Sequence, residues 1–176
     1  MSVRIPISRL DPDLPLPAPA HDDDAGHDLA ARVDTRLEPR GGRALVPTGV
    51  AVAIPAGYCG LVLPRSGLAL RHGITCLNTP GLIDPQYRGE LQVLLVNTDA
   101  VEAYTVHRGD RIAQLVVVAA ESIDWVPVDA LESTARDTFG SFPSTGIAGS
   151  VAGAAARANV FFSPTGTRMQ RRGPAG

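Results

Sequence analysis

The sequence contains only two cysteines, Cys59 and Cys76, among 176 residues. Two thiols cannot form a framework of several disulfides, and these two lack the paired spacing of a zinc site. Long apolar runs are missing as well, since no stretch approaches the roughly 18 uninterrupted apolar residues of a membrane span. The N-terminal segment also lacks the apolar core of a signal peptide. We therefore predict a cytoplasmic protein in a reducing compartment, without membrane association.

Charge of one sign is not in excess either, since the formal net charge is -2 at pH 7. A nearly neutral chain generates no overall positive field that would attract a nucleic-acid backbone. Hydrophobic residues make up 44% of the sequence, which is enough to bury a core. We expect no nucleic-acid partner, and any phosphate binding must come from a local arrangement of residues.

Glycine and proline, in contrast, are frequent, with 18 and 15 copies that interrupt the chain at short intervals. This spacing leaves little room for long helices and favours short strands joined by turns, so we predict an all-β fold. Ser66 is expected to cap one short helix that ends at Gly73. Branched aliphatic residues mark candidate strands at residues 44–46, 49–54, 58–63, 91–97 and 112–119.

The composition changes at residue 133, after which glycine, alanine, serine and threonine dominate. Few large side chains remain there to pack against a core. We expect one β-barrel domain over residues 1–132, followed by a flexible C-terminal arm and a mobile tail over residues 133–176. Residues 147–176 match no motif.

The stretch from Pro64 to Ala69 combines an arginine, a hydroxyl and a glycine at the start of the predicted helix. Unpaired backbone N–H groups at a helix N-terminus attract anions, and Gly67 lets a ligand approach the backbone. Arg65 can bind two phosphate oxygens. The alternative is an ordinary helix cap beside a surface arginine.

Residues 77–91 predict a structured β-hairpin with two turns. Within it, Asn78 offers the paired donor and acceptor that match the edge of a pyrimidine. Asp84 could orient and deprotonate a water, and Tyr87 provides a flat apolar face on which a sugar could lie. The alternative is a turn aspartate that accepts backbone hydrogen bonds and an aromatic ring that fills the core.

Two further segments carry polar side chains at or near predicted strands. Because side chains alternate along a strand, the position of Gln114 relative to Ile112 predicts that its side chain projects from the last strand. Its amide could then bind a phosphate or a metal-bound water. Asp28 lies in an acidic loop at residues 21–29, and an acid near a triphosphate can act on Mg²⁺ through water. The alternatives are a charged surface turn with a solvated glutamine and a solvated acidic loop.

Together and in this order, four segments resemble the motifs of the dUTP nucleotidohydrolase (dUTPase) family in its homotrimeric bacterial form. They are residues 25–29 (AGHDL), 64–69 (PRSGLA), 81–90 (GLIDPQYRGE) and 108–115 (RGDRIAQL). The resemblance implies a jelly-roll-like distorted β-barrel that forms a homotrimer with shared active sites. It also implies Mg²⁺-assisted hydrolysis of dUTP to dUMP and pyrophosphate, which limits uracil incorporation into DNA and supplies dUMP for dTMP synthesis.

The same resemblance implies a role for each site residue. Asp84 would activate water for attack on the α-phosphorus, and Asp28 would contact Mg²⁺ through water only. Tyr87 would pack under the deoxyribose and exclude a 2′-hydroxyl, and Gln92 would lie near the base or sugar. The remaining residues would bind the phosphates (Arg65, Ser66, Gly67 and Gln114) or the uracil (Asn78, Gly81, Leu82 and Ile83).

The family's fifth motif is a C-terminal arm that closes over the nucleotide, and it matches this sequence only in part. Arg136 would bind the γ-phosphate, Phe142 would stack on the uracil, and Ser144 would lie on the phosphate side. Phe139 is the alternative stacking ring. Pro143 removes a backbone N–H where the family has glycine, so closure of this arm is a separate question.

Two other functions stay open at this point. A dCTP deaminase shares the fold and part of the third motif, and Glu90 is the only nearby candidate to move protons at C4 of cytosine. The other is a trimeric nucleotide-binding module whose altered arm no longer closes productively.

Overall fold

Eleven strands and one short helix follow one another in residues 2–134, which are the residues that the computed structural model describes. In chain order they are β1 (Ile7–Arg9), β2 (His27–Ala30), β3 (Thr35–Leu37), β4 (Arg43–Pro47), β5 (Val50–Val52), β6 (Tyr58–Pro64), α1 (Ser66–His72), β7 (Ile74–Cys76), β8 (Gly81–Ile83), β9 (Gln92–Asn97), β10 (Tyr104–Val106) and β11 (Arg111–Ala119). The predicted all-β class with one short helix is therefore confirmed.

All strand pairs are antiparallel and belong to four hydrogen-bonded sheets. The largest sheet has the order β2-β11-β6-β8, and the second has the order β4-β9-β7. The remaining two sheets are the pairs β1-β5 and β10-β3. Within residues 2–134 these ladders do not join into one closed barrel, so the barrel is distorted and open between sheets.

The sheets share one core of aliphatic side chains. In the first four residues of β9 the burial follows the two-residue period of a strand, with Val93 and Leu95 almost fully buried and Gln92 exposed. Burial of aliphatic side chains is the main force that holds these sheets of short strands together. The other buried members include Leu29, Leu37, Val46, Ile54, Val62, Ile74, Leu91, Val106, Ile112 and Leu115.

The five strands predicted from aliphatic runs are all present, with ends that differ by one or two residues. The predicted hairpin over residues 77–91 is wrong, because β8 pairs with β6 while β9 pairs with β4 and β7. Six strands of three or four residues were not among the predicted aliphatic runs, since so short a segment shows no period; they are β1, β2, β3, β7, β8 and β10.

The helix is predicted at the correct position, but the residue predicted to cap its N-terminus is wrong. Arg65 occupies the N-cap position, no side chain bonds to the free N–H groups there, and Ser66 is already the first helical residue. Gly73 ends the helix as predicted, with a φ of 65° in the left-handed region and its N–H bonded to Ala69.

The chain divides into two units, Met1–Trp125 and Val126–Gly176. In the second unit the described residues, 126–134, are exposed and lie outside helices and strands. Cys59 and Cys76 are both free thiols. Among the described residues no helix is long and apolar enough to cross a membrane.

We predict that Asn97→Ala destabilises the protein by about 2–4 kcal/mol, because it leaves buried backbone groups without partners. The Asn97 side chain is buried, donates to the carbonyls of Leu37 and Glu102, and accepts the N–H of Asp99 at 2.9 Å. Urea unfolding measures the change. The exposed amide Gln86 is the control, and Gln86→Ala should cost less than about 0.5 kcal/mol; equal losses would contradict the argument.

Candidate functional site

One polar cluster forms where β11 lies between β2 and β6. The strand registers place Gln114 opposite Asp28 on one side and opposite Leu63 on the other. Because β6 runs directly into α1, Arg65 and the helix start follow at the same edge. The predicted phosphate-side residues of three separate segments are therefore brought together by strand pairing.

Asp28 holds this cluster through two arginines. Its Oδ1 lies 2.9 Å from Nε of Arg65, and its Oδ2 lies 3.0 Å from Nη1 of Arg111. Arg65 also donates through Nη1 to the carbonyl of Arg111 at 3.1 Å. The Asp28 side chain is only 11% exposed, so the carboxylate is shielded and fixes the direction of both guanidinium groups.

Arg111 was missed in the sequence analysis. It lies three residues before Gln114 in the segment that was singled out, but its pairing with Asp28 depends on the neighbouring strand. Only the β2–β11 register shows that this arginine belongs to the cluster.

Gln114 is half-buried and donates through Nε2 to the carbonyl of Pro64 at 3.2 Å. Gly26 lies against its amide, since a Cβ there would be 2.2 Å from Oε1 of Gln114. The register shift between Arg111 and Ala113 interrupts the simple alternation from Ile112 on which the direction of Gln114 was predicted. The side chain instead alternates with Ala113 and Leu115, which are both buried.

The start of α1 adds the remaining predicted phosphate-side residues. Ser66 is exposed, and Gly67 keeps the backbone accessible. The guanidinium of Arg71 lies close to this glycine, because a Cβ at position 67 would be 2.8 Å from Nη2 of Arg71. Arg71 is a second basic group that the sequence analysis did not assign to the site.

A second polar cluster follows the end of β8. Asp84 is exposed, and its backbone carbonyl accepts the N–H of Tyr87 at 3.1 Å to close a turn. Among residues 2–134 the Asp84 carboxylate has no hydrogen-bond or ion-pair partner. An open cavity of about 810 Å³ lies here, lined by residues 54–57 and 84–88.

Tyr87 lies over the glycine that follows the turn. Its hydroxyl donates to the carbonyl of Glu90 at 2.8 Å, and its side chain is 42% exposed. A Cβ on Gly89 would lie 2.7 Å from the Tyr87 hydroxyl oxygen, so only glycine leaves room for the ring in this position. One face of a phenol ring is thereby held next to the Asp84 turn.

The predicted uracil-side residues lie along β8 and just before it. Asn78 is exposed, and its Nδ2 lies 3.4 Å from the position of a Cβ on Gly81. Leu82 is 59% exposed and Ile83 is half-buried, which leaves an accessible strand edge. Gln92 is exposed at the start of β9.

Within one chain the two clusters lie toward opposite ends of β6. Gly60 pairs with Ile83, next to Asp84, whereas Arg65 follows the other end of the strand. Five residues of extended chain span about 17 Å at roughly 3.3 Å per residue. The predicted residues Arg136, Phe142 and Ser144, with the alternative Phe139, lie outside the described residues.

No group of three or more His, Cys, Asp or Glu side chains that could hold a metal ion occurs in residues 2–134. Residues 21–24 of the acidic loop are exposed, and Asp24 accepts the backbone N–H of His21 at 3.0 Å.

An all-β scaffold thus carries an arginine–carboxylate cluster at one end of β6 and an aspartate–tyrosine pocket at the other. Guanidinium groups suit phosphates, and an exposed ring beside a free strand edge suits a planar base with its sugar. The fold and the two clusters define a class of protein that binds small nucleotides.

The chain belongs to the dUTPase family, whose family model matches residues 13–146. It is 53% identical over 153 residues to the deoxyuridine 5'-triphosphate nucleotidohydrolase of Thermobifida fusca (strain YX), covering 87% of this chain and 83% of the relative. The enzyme of the same name from Mycobacterium avium (strain 104) is 61% identical over 121 residues, covering 69% of this chain and 78% of the relative.

Solved structures of phage dUTPases are similar as well. A variant of the Staphylococcus bacteriophage 80alpha dUTPase with dUpNHpp has a TM-score of 0.72 at 26% identity, covering 83% of this chain and 100% of its own. A variant dUTPase from phage phi11 of S. aureus, whose structure shows the coordination of a structural Mg(II) ion, has a TM-score of 0.66 at 27% identity. Its match covers 74% of this chain and 100% of its own.

We predict that Gly26→Ala turns the Gln114 amide away from Pro64 at a stability cost below about 1 kcal/mol, because the clash involves the far end of a flexible side chain. The side-chain NH₂ signals of Gln114 in an NMR spectrum report the lost hydrogen bond, and urea unfolding reports the stability. In the Gln114→Ala background the same glycine substitution should cost less, because only the contact with Cβ of residue 114, at 3.3 Å, remains. An equal or larger loss there would show that Gly26 is required for another reason.

Proposed function

We propose that this protein hydrolyses dUTP to dUMP and pyrophosphate, which limits uracil incorporation into DNA. Family membership over residues 13–146 supports the reaction class. The observation that carries the proposal is the Asp84 carboxylate, which is exposed beside Tyr87 and has no partner among residues 2–134. We also propose that the protein acts in the cytoplasm, because such a reaction needs access to the pool of free nucleotides.

Asp84 is the general base in this proposal. A carboxylate without an ion-pair partner can accept a hydrogen bond from a water and remove its proton as the water attacks the α-phosphorus. Asp11, Asp28 and Glu90, in contrast, are all paired with arginine. Asp84 therefore differs from them in the property that a base requires.

Tyr87 and the β8 edge bind the nucleoside. The exposed backbone around Leu82 and Ile83, with Gly81 and the amide of Asn78, presents donors and acceptors to the uracil edge. The Tyr87 ring packs under the deoxyribose and leaves no room for a 2′-hydroxyl. Gln92, at the start of β9, lies near the base or the sugar.

The arginine–carboxylate cluster binds the phosphates. Arg65, Ser66 and the backbone at Gly67 supply donors at the helix start, and Gln114 supplies an amide that Gly26 and Pro64 hold in place. Asp28 orients Arg65 toward the ligand. Roles for Arg136, Phe142 and Ser144 in closing the site stay predictions.

Magnesium fits this arrangement as an ion held mainly by the substrate. Mg²⁺ keeps several waters and commonly binds nucleotide phosphates with few protein ligands, which agrees with the lack of a carboxylate cage in residues 2–134. Asp28 would hold it through a water only. When bound, the ion screens the charge of the phosphates as pyrophosphate leaves.

A homotrimer with shared sites is part of the proposal, and the separation of the two clusters supports it. A nucleotide bound at Arg65 cannot also contact Asp84 across the roughly 17 Å of β6 in the same chain. A second copy can bring its Asp84 and Tyr87 to the phosphate cluster of the first copy. Closed rotational symmetry then makes the three sites identical, each with the phosphate cluster of one subunit and the Asp84 loop of a neighbouring subunit.

The dCTP deaminase alternative is not supported. Glu90, its only candidate to move protons, is engaged by the N–H of Gly49 at 2.7 Å and by Arg32. A carboxylate in that position stabilises the loop and is not free to transfer protons to a base. Family membership points to the same conclusion.

We expect Asp84→Asn to lower dUTP turnover by roughly 10²–10⁴-fold while dUTP binding is retained, because only the general base is lost. Pyrophosphate release with dUTP, dCTP, UTP and dTTP in Mg²⁺ measures the activity, and the wild-type protein should hydrolyse dUTP alone. The matched control is Asp124→Asn, an exposed aspartate that makes no hydrogen bond or ion pair with a residue of either cluster. Wild-type turnover in Asp84→Asn would remove this residue from its role.

Mixing two inactive variants tests the shared site. In trimers refolded from equal amounts of Arg65→Ala and Asp84→Asn, three quarters of the assemblies are mixed, and each mixed trimer regains one intact site of its three. The expected activity is therefore about one quarter of the wild type. Each variant refolded alone is the control, and a mixture with no activity above these controls would show that both residues act within one chain.

A further inference from the structure

Asp11, Arg32, Glu90 and Arg108 form a chain of ion pairs that joins distant parts of the sequence. Arg108 binds both carboxylate oxygens of Asp11, with Nη2 donating to Oδ1 at 3.0 Å. Nε of Arg32 lies 3.4 Å from Oδ2 of Asp11, and its Nη1 lies 3.5 Å from Oε1 of Glu90. The two carboxylates are only 12% and 18% exposed, so they are largely shielded from water.

Gly49 completes this ion chain. Its N–H donates to Oε1 of Glu90 at 2.7 Å, and its φ of 75° lies in the left-handed region. A Cβ here would lie 2.9 Å from Cβ of Asp11, so the close approach requires glycine. The hydrogen bond from Arg108 lowers the pKa of Asp11 to about 2, so this carboxylate is charged at neutral pH.

Glu90 ends the loop that carries Asp84 and Tyr87. Its backbone carbonyl accepts the Tyr87 hydroxyl, and the same residue's side chain is held by Arg32 and Gly49. The other end of the loop is fixed by the pairing of β8 with β6. The peptide unit that carries this acceptor is also held by its Leu91 N–H, which donates to Val50 at 2.8 Å, and the ion chain adds a hold on the Glu90 side chain.

We propose that Arg32, supported by Asp11 and Arg108, is a positioning residue that acts through Glu90 on the Tyr87 ring and thereby sharpens the selection of deoxyribose over ribose. This inference rests on the proposed function. The ion chain orients the ring and does not contact the attacking water. Its loss therefore changes the KM for dUTP and the discrimination against UTP more than it changes kcat.

Arg32→Ala tests the inference, and Arg36→Ala is the matched control because it removes an exposed ion pair with Glu38 that contacts no site residue. In Arg32→Ala the ratio of kcat/KM for dUTP to that for UTP should fall about two- to five-fold, as expected for the loss of one partly exposed ion pair. Arg32→Lys should restore most of the ratio, and Arg36→Ala should leave it unchanged.

A second measurement does not depend on catalysis. The sequence contains three tyrosines, so the full chain labelled with 3-fluorotyrosine gives few ¹⁹F signals, and Tyr87→Phe assigns the relevant one. Arg32→Ala should shift or broaden this signal. Glu90→Gln, which removes the charge and keeps an acceptor for Gly49, should do the same, whereas Arg36→Ala should not.

The two readouts separate the two proposals. An unmoved Tyr87 signal in Arg32→Ala, or an unchanged dUTP to UTP ratio in a protein that hydrolyses dUTP, overturns the positioning role. A wild-type protein that does not hydrolyse dUTP overturns the proposed function, and the ¹⁹F signals still decide whether the ion chain positions Tyr87.

Discussion

The antiparallel pairing of β11 with β2 on one side and β6 on the other is the constraint on which the candidate site depends. It places Gln114 between Asp28 and the end of the strand that leads into Arg65. A slip of one residue in either ladder would turn these side chains to the opposite face of the sheet. The buried aliphatic residues of the same strands, such as Ile112 and Leu115, fix the register because their faces cannot be exchanged without exposing the core.

Pairing with arginine distinguishes the carboxylates that stabilise the scaffold from the carboxylate that is proposed to act as a base. All 16 of its Lys and Arg positions are arginine, whose planar fork suits paired binding of carboxylates and phosphates. Asp28 and Glu90 are held by such groups, whereas Asp84 is left without one among the described residues. Arginine side chains thus orient the carboxylates of the scaffold, and they also offer hydrogen-bond donors to an anionic ligand.

The fold was predictable where the sequence pattern is long enough to show a period. Runs such as residues 58–63 and 112–119 indicated strands directly, but strands of three residues, including β8, become stable only when a neighbouring strand pairs with them. For that reason residues 77–91 looked like a hairpin in the sequence, although β8 and β9 belong to different sheets. The Ser66 cap failed for a related reason, because the strand β6 runs straight into the helix and leaves Arg65 at the N-cap.

The sequence by itself determined the residue types of the site, because Arg65, Asp84 and Tyr87 lie in local segments whose chemistry can be read without a fold. Only the tertiary structure decided which of them meet. Strand pairing brought Arg65 to Asp28 and Arg111, and it placed Asp84 toward the other end of β6. Contacts between strands depend on the pairing register. That register is set by burial over the whole sheet, and a single sequence motif does not contain this information.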